Sequence, residues 1–258
     1  MRTPRLIALD MDGTLLDGDG RVPDAFWPLL DAARSRGVTL APASGRQLAT
    51  LQRMFPDCDT FIAENGAVVA RDGEVVSTTA LPEEPVRRLL SELTGAPFAA
   101  HAVVCAPEVA ATAPLPPEVD AEVDKYYAAR TLLGDGSASP TIKVALYVES
   151  DAEREAYPWV RELVPELRAL VSGKHWVDLM HPDADKGLAL SQLAGAMGVS
   201  MAETAAFGDY LNDLGMLKVA GHAVAMGNAH EDLKAVADEV VGTNVDGAAV
   251  VRMAQWLS

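Results

Sequence analysis

Acidic residues stand at two distant points of the chain, and each group directly follows a short apolar run. Asp10 and Asp12 lie in Asp-Met-Asp-Gly-Thr-Leu, after the apolar residues 6–9. Asp209 and Asp213 lie in Gly-Asp-Tyr-Leu-Asn-Asp, after a second apolar run. Carboxylates just past the ends of strands can converge on one divalent cation, and oxygen ligands of this kind suit Mg²⁺. A carboxylate screened by such a cation can attack a phosphoryl group, which splits a slow hydrolysis into two in-line steps.

Two further segments carry groups that could hold a phosphate. Ser44, Gly45 and Arg46 follow another apolar run and offer a hydroxyl, the start of a helix and a guanidinium group. Lys186 stands where a helix begins and offers a point charge, which suits the spread charge of a phosphoryl transition state. Each also has an ordinary explanation, Ser44 as a helix N-cap and Lys186 as a solvated surface side chain. Because all these residues stand at predicted strand ends or at a domain boundary, their joint occurrence favours one shared site.

The elements that would position these residues alternate between strand and helix in the first and last parts of the chain. The predicted strands cover residues 6–9, 38–41, 60–63, 204–207, 222–225 and 239–241. The predicted helices cover residues 24–36, 47–54, 187–197, 211–219, 230–237 and 246–257. A hairpin with a turn at Asp72 and Gly73 is predicted after the third strand. This alternation is typical of a parallel sheet covered by helices, in which the active crevice lies at the carboxyl ends of the strands.

The middle of the chain, residues 82–182, follows no such alternation. Proline is concentrated there, and its best predicted strand, Thr141 to Glu149, follows a loop-like segment at residues 134–140. About 100 residues is far beyond the length of ordinary loops, so one long decorated loop is disfavoured. We therefore predict an α/β protein with a Rossmann-like catalytic core, formed by residues 1–81 and 183–258, into which residues 82–182 are inserted as an α+β domain.

Composition restricts the partners and the compartment. The 258 residues carry a formal net charge of −16, which repels nucleic acid and anionic membranes, so neither is an expected partner. Any phosphate site must therefore depend on a bound cation or on a few lysine and arginine side chains. No apolar stretch approaches the roughly 20 residues of a membrane span, and the N-terminal apolar run is too short for a signal peptide. The two cysteines form no metal-like cluster, and we predict a cytoplasmic monomer or homodimer.

The order of these groups resembles a known family. The set Asp10-x-Asp12-Gly13-Thr14, Ser44, Lys186 and Gly208-Asp209-x-x-Asn212-Asp213 looks like the four motifs of the haloacid dehalogenase (HAD) superfamily. The insertion between the second and third motifs is similar to the C2-type cap of its Cof-type (subfamily IIB) sugar-phosphatase branch. The segments 64–67 and 244–248 also resemble that branch. Asp185 departs from the family, which more often has a small or neutral residue before the lysine.

The resemblance implies roles for individual residues. Asp10 would be the nucleophile and Asp12 the general acid and base. Mg²⁺ would be bound by Asp10, Asp209 and the backbone carbonyl of Asp12. The residues that would bind the phosphoryl group or the substrate are Thr14, Ser44, Gly45, Arg46, Lys186 and Asn212. Asn65 is interpreted either as a substrate contact or as a turn residue beside Gly66.

These observations predict a Mg²⁺-dependent phosphatase that acts on a small phosphorylated metabolite through an aspartyl-phosphate, with a sugar phosphate as the first candidate. A phosphomutase on the same fold is the nearest alternative, but the few basic residues of 82–182 supply no obvious second phosphate subsite. A signalling domain that accepts a phosphoryl group on an aspartate is disfavoured by the chain length and by Asp12. An inactive binding protein is the last alternative, although every expected catalytic residue is present.

Overall fold

The computed structural model describes residues 3–134 and 140–257, and these residues form two compact units. The described residues of the first unit fall within Met1–Gly45, Met54–Ser77 and Asp185–Ser258, and those of the second within Arg46–Arg53 and Thr78–Ala184. An α/β unit with a largely parallel sheet and a separate α+β unit confirm the predicted fold class. The predicted domain boundaries stay a prediction, and most of the loop predicted at residues 134–140 lies outside the described residues.

The strands and helices are numbered in chain order. The strands are β1 (Leu6–Asp10), β2 (Thr39–Ala43), β3 (Phe61–Ala63), β4 (Val68–Arg71), β5 (Glu74–Thr78), β6 (Ala100–Cys105), β7 (Ala110–Thr112), β8 (Arg130–Leu132), β9 (Lys143–Val148), β10 (Arg168–Gly173), β11 (Trp176–Met180), β12 (Thr204–Gly208), β13 (Ala223–Ala225) and β14 (Glu239–Val240). The helices are α1 (Phe26–Ser35), α2 (Leu48–Met54), α3 (Glu83–Glu92), α4 (Pro117–Asp124), α5 (Tyr157–Leu163), α6 (Lys186–Met197), α7 (Leu214–Val219), α8 (Glu231–Val236) and α9 (Ala248–Trp256).

The first unit is built on a sheet with the strand order β14-β13-β12-β1-β2-β3-β4-β5. The pairs from β14 to β3 are parallel, and β4 runs antiparallel to β3. All five residues of β1 are buried, as its continuous apolar run predicts for a central strand. Asp72 and Gly73 join β4 to β5 with φ values of 54° and 81°, which suit a type I′ turn. The strands and the hairpin predicted for this unit are therefore confirmed, with small shifts at their ends.

The helices of the first unit begin within a few residues of their predicted starts, and two of them differ in how they begin. Asp185 caps α6, because its Oδ1 accepts hydrogen bonds from the backbone N–H groups of Gly187 at 2.7 Å and Leu188 at 3.1 Å. Lys186 therefore becomes the first residue of α6, one residue before the predicted start. The helix predicted over 211–219 begins as a short 3₁₀ turn, Leu211–Asp213, which continues into α7.

The second unit contains a sheet with the strand order β10-β11-β9-β6-β7-β8. Its pairs are antiparallel except for β7 and β8, which are parallel. Alternate residues of β9 belong to an apolar core together with residues of α3 and α5. The predicted strand Thr141 to Glu149 is confirmed as β9, whereas the sequence patterns indicated none of the helices of this unit beyond α2.

Helix α2 lies within the second unit, where polar side chains attach it to a loop. The side chain of the buried Gln47 donates from Nε2 to the carbonyl of Ala129 at 2.9 Å, and its Oε1 accepts from the backbone N–H of Ala129 at 3.0 Å. Thr50 donates to the carbonyl of Tyr126 at 3.0 Å. Among the described residues, no helix combines the length and the apolar character that crossing a bilayer requires.

Candidate active site

The carboxyl ends of three adjacent parallel strands bring the predicted site residues of the first unit together. The strands β12, β1 and β2 are neighbours, and Asp10 at the end of β1 is paired with Ala43 of β2. Ser44 follows β2 directly, and Asp209 follows β12 directly. Since parallel strands end at the same edge of a sheet, residues 199 positions apart in the chain lie in one crevice, as the sequence predicts.

A buried lysine lies at the centre of this edge. Lys186 Nζ donates to Asp10 Oδ1 and to Asp213 Oδ1, both at 2.6 Å. Lys186 is 0% exposed, so the ordinary explanation of this residue as a solvated surface side chain is wrong. Burial acts to lower the pKa of Lys186, but the two carboxylates outweigh it and raise the pKa above its usual value. The lysine is therefore a fixed positive charge in the site.

Three carboxylates surround the lysine. One oxygen each of Asp10, Asp209 and Asp213 lies within 4.8 Å of the others. Burial, together with the charge of Asp213, raises the pKa of Asp10 well above its usual value, although Lys186 opposes the shift. The same two causes raise the pKa of Asp209 to about 6. Three carboxylates face one lysine here, so a divalent cation fits this all-oxygen cluster.

Asp12 lies apart from this cluster of side chains. It is exposed, in the tight turn Met11–Leu15 that follows β1, with φ −76° and ψ 118°. The structure therefore joins Asp10 and Asp209, two of the predicted metal ligands, and adds Asp213 to them. The metal role of Asp12 stays a prediction, since it would use the backbone carbonyl and not the carboxylate.

The turn after β1 packs closely against Asp209. Gly13 has φ 83°, and a Cβ at this position would lie 2.2 Å from Asp209 Oδ2, so only glycine fits. Thr14 is buried, and its hydroxyl donates to Asp209 Oδ1 at 3.4 Å. The structure thus places Thr14 against a carboxylate of the metal cluster, and its predicted role in phosphate binding stays a prediction.

Two supporting contacts hold the Asp209 loop. Asp213 Oδ2 accepts from the backbone N–H groups of Asp209 at 3.1 Å and Tyr210 at 3.3 Å. Asn228 Nδ2 donates to the carbonyl of Gly13 at 2.8 Å and to Asp209 Oδ2 at 3.3 Å. Sequence reasoning missed Asn228, although it lies three residues past the end of β13, a strand of the same parallel sheet. This position just past a strand end was the signal in the sequence that could have identified Asn228 as a site residue.

The remaining predicted residues divide between the two units. Ser44 is buried and Gly45 half-buried in the first unit, whereas Arg46 belongs to the second unit and is half-buried there. Asn212 Nδ2 donates to Asn65 Oδ1 at 3.3 Å. A Cβ on Gly45 would lie 2.9 Å from Asn65 Nδ2. Asn65 therefore lies between Gly45 and Asn212, two of the residues predicted to bind the phosphoryl group or the substrate.

Known proteins resemble this chain along nearly its whole length. Residues 7–253 match the family described as haloacid dehalogenase-like hydrolase. The chain is 30% identical over 272 residues to phosphatase YwpJ of Bacillus subtilis, covering 93% of this chain and 95% of that protein. It is 27% identical over 248 residues to the 5-amino-6-(5-phospho-D-ribitylamino)uracil phosphatase YbjI of Escherichia coli, covering 93% and 91%. The crystal structure of TM0651 from Thermotoga maritima has a TM-score of 0.84 at 25% identity, covering 99% and 97%.

Proposed function

The chain belongs to the haloacid dehalogenase-like hydrolases and is a phosphoric monoester hydrolase, and we propose that the carboxylate of Asp10 is its nucleophile. The observation that carries this proposal is the pair of 2.6 Å hydrogen bonds from the buried Lys186 to Asp10 and Asp213. The bond to Oδ1 orients the Asp10 carboxylate at the end of β1. A carboxylate held in one orientation can attack a phosphoryl group in line, which forms an aspartyl-phosphate and releases the alcohol.

Mg²⁺ is the proposed cofactor. The ligands would be the carboxylates of Asp10 and Asp209 with the backbone carbonyl of Asp12, and Asp213 would hold the Asp209 loop through its backbone N–H groups. Bound there, the ion would neutralise charge between the nucleophile and the phosphoryl oxygens. The excess of carboxylates over lysine and the raised pKa of Asp209, about 6, support a cation at this position.

Asp12 is the proposed general acid and base. Its side chain is exposed two residues after the nucleophile, in a turn that leaves it outside the carboxylate cluster. From there it would protonate the leaving oxygen and then take a proton from the water that attacks the aspartyl-phosphate. Ser44, Gly45 and Lys186 would hold the phosphoryl oxygens. Thr14, Arg46 and Asn212 are the other residues predicted to bind the phosphoryl group or the substrate.

The proposed substrate is a small phosphorylated metabolite, with a sugar or sugar-alcohol phosphate as the first candidate. The E. coli relative is named for a substrate that carries a phosphorylated ribitylamino group, which supports this class. The identity of the metabolite is left to experiment. The chain would work as a monomer or homodimer, with neither nucleic acid nor membrane as partner.

Release of inorganic phosphate from a panel of phosphorylated metabolites tests the proposal. Asp10→Asn removes the nucleophilic oxygen charge at nearly constant volume, so turnover should fall by about 10³-fold or more. A variant that keeps near wild-type turnover would exclude Asp10 as nucleophile. Isomer interconversion without phosphate release would instead favour the mutase alternative.

A further inference from the structure

A strained turn lies beside the proposed active site. Glu64, Asn65 and Gly66 follow β3, and all three have positive φ, at 51°, 54° and 93°. The turn formed by these residues, here called the 64–66 turn, is buried, with Glu64 0% and Asn65 6% exposed. Positive φ is uncommon in residues other than glycine and persists only where the surroundings enforce it. Two such residues in succession at a catalytic edge indicate a functional constraint.

The 64–66 turn contacts three of the loops that carry proposed active-site residues. Its Asn65 backbone N–H donates to the carbonyl of Ser44 at 2.9 Å. Asn65 Oδ1 accepts from Asn212 Nδ2 at 3.3 Å. A Cβ on Gly66 would lie 2.4 Å from the carbonyl oxygen of Asp185, so the backbone of the turn lies directly against the start of α6. The turn is therefore a common support for loops that are far apart in the chain.

The side-chain amide of Asn65 occupies the space beside Gly45. A Cβ at Gly45 would lie 2.9 Å from Asn65 Nδ2, closer than Cβ atoms approach other atoms in proteins, and 3.2 Å from Oδ1. Gly45 is thus needed for space, because the amide takes the place that a side chain would fill. The Asn65 amide thus lies against Gly45 on one side and accepts a hydrogen bond from Asn212 on the other.

We propose that Asn65 is a positioning residue for phosphoryl transfer. Its amide joins the loop of Ser44 and Gly45, which would hold the phosphoryl group, to the loop of Asn212, which carries the proposed metal ligand Asp209. The inference rests on the proposed function of these loops. Asn65 does not contact the reacting atoms in this role; it sets the distance between the phosphate-binding loop and the metal-binding loop.

The test is Asn65→Gly, with Asp72→Gly as the matched control. Glycine adopts a φ of 54° freely, so the substitution removes the amide without straining the turn. Asp72 has the same φ of 54° in the exposed β4–β5 hairpin, away from the site. With p-nitrophenyl phosphate as substrate, Asn65→Gly should lower kcat by about 10- to 100-fold, since small misplacements near the chemistry have effects of this size. Asp72→Gly should keep the wild-type kcat.

Two readouts separate positioning from a purely structural role. The positioning role predicts that kcat falls more than KM rises and that the inhibition constant for inorganic phosphate increases. A lower Tm with an unchanged kcat per folded molecule would overturn the inference. If Asn65→Gly does not fold, Asn65→Ser with Asp72→Ser as control gives the same comparison, and an unchanged kcat in Asn65→Ser would overturn it.

A double variant tests the contact itself. Gly45→Ala alone should reduce kcat, because its methyl group meets the Asn65 amide. The same change in the Asn65→Gly background should cost several-fold less, since the methyl then enters vacated space. Fully additive effects would contradict the contact.

The positioning role and the proposed function can fail separately. If Asp10→Asn is inactive while Asn65→Gly keeps the wild-type kcat, only the positioning role fails; if Asp10→Asn keeps turnover, the proposed function fails.

Discussion

The two units differ in the kind of side chain that forms their buried centre. In the first unit, Lys186 and Asp213 are 0% exposed and Asp10 is 6% exposed, so a charged cluster lies within the fold. In the second unit the core shared by α3, α5 and β9 is apolar, and the charged residues Lys143 and Asp178 are buried outside it. The ion pair of Arg88 with Glu166 lies at the surface of this unit, with side chains 33% and 47% exposed. Removing a charge from water costs several kcal/mol even after relaxation, whereas apolar burial stabilises directly.

The difference means that substitutions of the buried charges should change both stability and activity, whereas substitutions in the apolar core should change stability alone. We propose that the charges in the first unit are retained because they hold the proposed nucleophile, Asp10, in place, at a cost in folding energy. Apolar residues of the core of the second unit contribute packing. Substitutions in the two units should therefore differ in which property they change, and four substitutions or conditions test this in order of decreasing effect.

The largest effect is expected for Lys186→Met, in the first unit. The change leaves Asp10 and Asp213 buried without their shared cation, and breaking a buried pair in this way costs about 3–5 kcal/mol. Activity should be lost as well, because Lys186 no longer orients Asp10, the proposed nucleophile. Thermal unfolding and phosphate release measure the two effects.

Lys218→Met is the matched control for this substitution. Lys218 lies on α7 of the same unit and is exposed, so replacing it should leave both stability and activity near wild-type levels. If Lys186→Met unfolds at the same temperature as Lys218→Met, the buried charge cluster does not have the energetic importance assigned to it here.

A smaller effect, confined to stability, is expected for Leu146→Ala in the second unit. Leu146 lies on β9 and is 0% exposed within the apolar core, so truncation should cost about 2–5 kcal/mol. Leu132→Ala is the control, since Leu132 is 54% exposed on β8. Chemical denaturation measures the loss, and Mg²⁺ binding should be unchanged. Loss of Mg²⁺ binding in Leu146→Ala would show that the apolar core of the second unit also affects the carboxylate cluster of the first unit.

The comparison of the two units also explains which features could be predicted from the sequence. Asp10, Ser44 and Asp209 were found because each follows an apolar run that forms a fully paired strand, and parallel strands end at one edge. Lys186 was found by its place in the motif order, but its burial was not predicted, because burial depends on partners 176 and 27 residues away. The recognition of the family from the four motifs is confirmed.

The contacts of Asn65 and most of the second unit were not predictable in this way. The Asn65–Asn212 bond spans 147 residues, and no local pattern indicates it. In the second unit, β7 and β8 have three residues each, too short for a clear alternation. Helix α3 is amphipathic but opens with two glutamates and a proline, and its packing with β9 was not visible from periodicity alone.

Magnesium should stabilise the first unit by a moderate amount. Binding at about 100 times the dissociation constant adds about 2.7 kcal/mol to the free energy of unfolding. The pKa of Asp209 is raised to about 6, so below that pH the folded protein holds a proton that the metal must displace. The Mg²⁺-dependent rise in Tm should therefore be larger at about pH 7.5 than at about pH 5. Asp209→Asn should abolish the rise in Tm, and EDTA should stop turnover. If Asp209→Asn keeps the rise and EDTA leaves turnover unchanged, the proposed metal site is wrong.

The smallest effect is expected for Glu166→Gln, in the second unit. Glu166 accepts a 2.6 Å hydrogen bond from Arg88, which is the main reason why the pKa of its carboxyl is lowered. A lowered pKa means that the pair stabilises the fold above the usual pKa of glutamate and that this contribution is lost as the pH falls. Because both side chains are partly exposed, solvent and salt screen the pair, so the Tm of Glu166→Gln at pH 7 should differ little from wild type. A large drop in Tm that persists in high salt would show that this ion pair of the second unit contributes to stability as much as the buried charges of the first unit do.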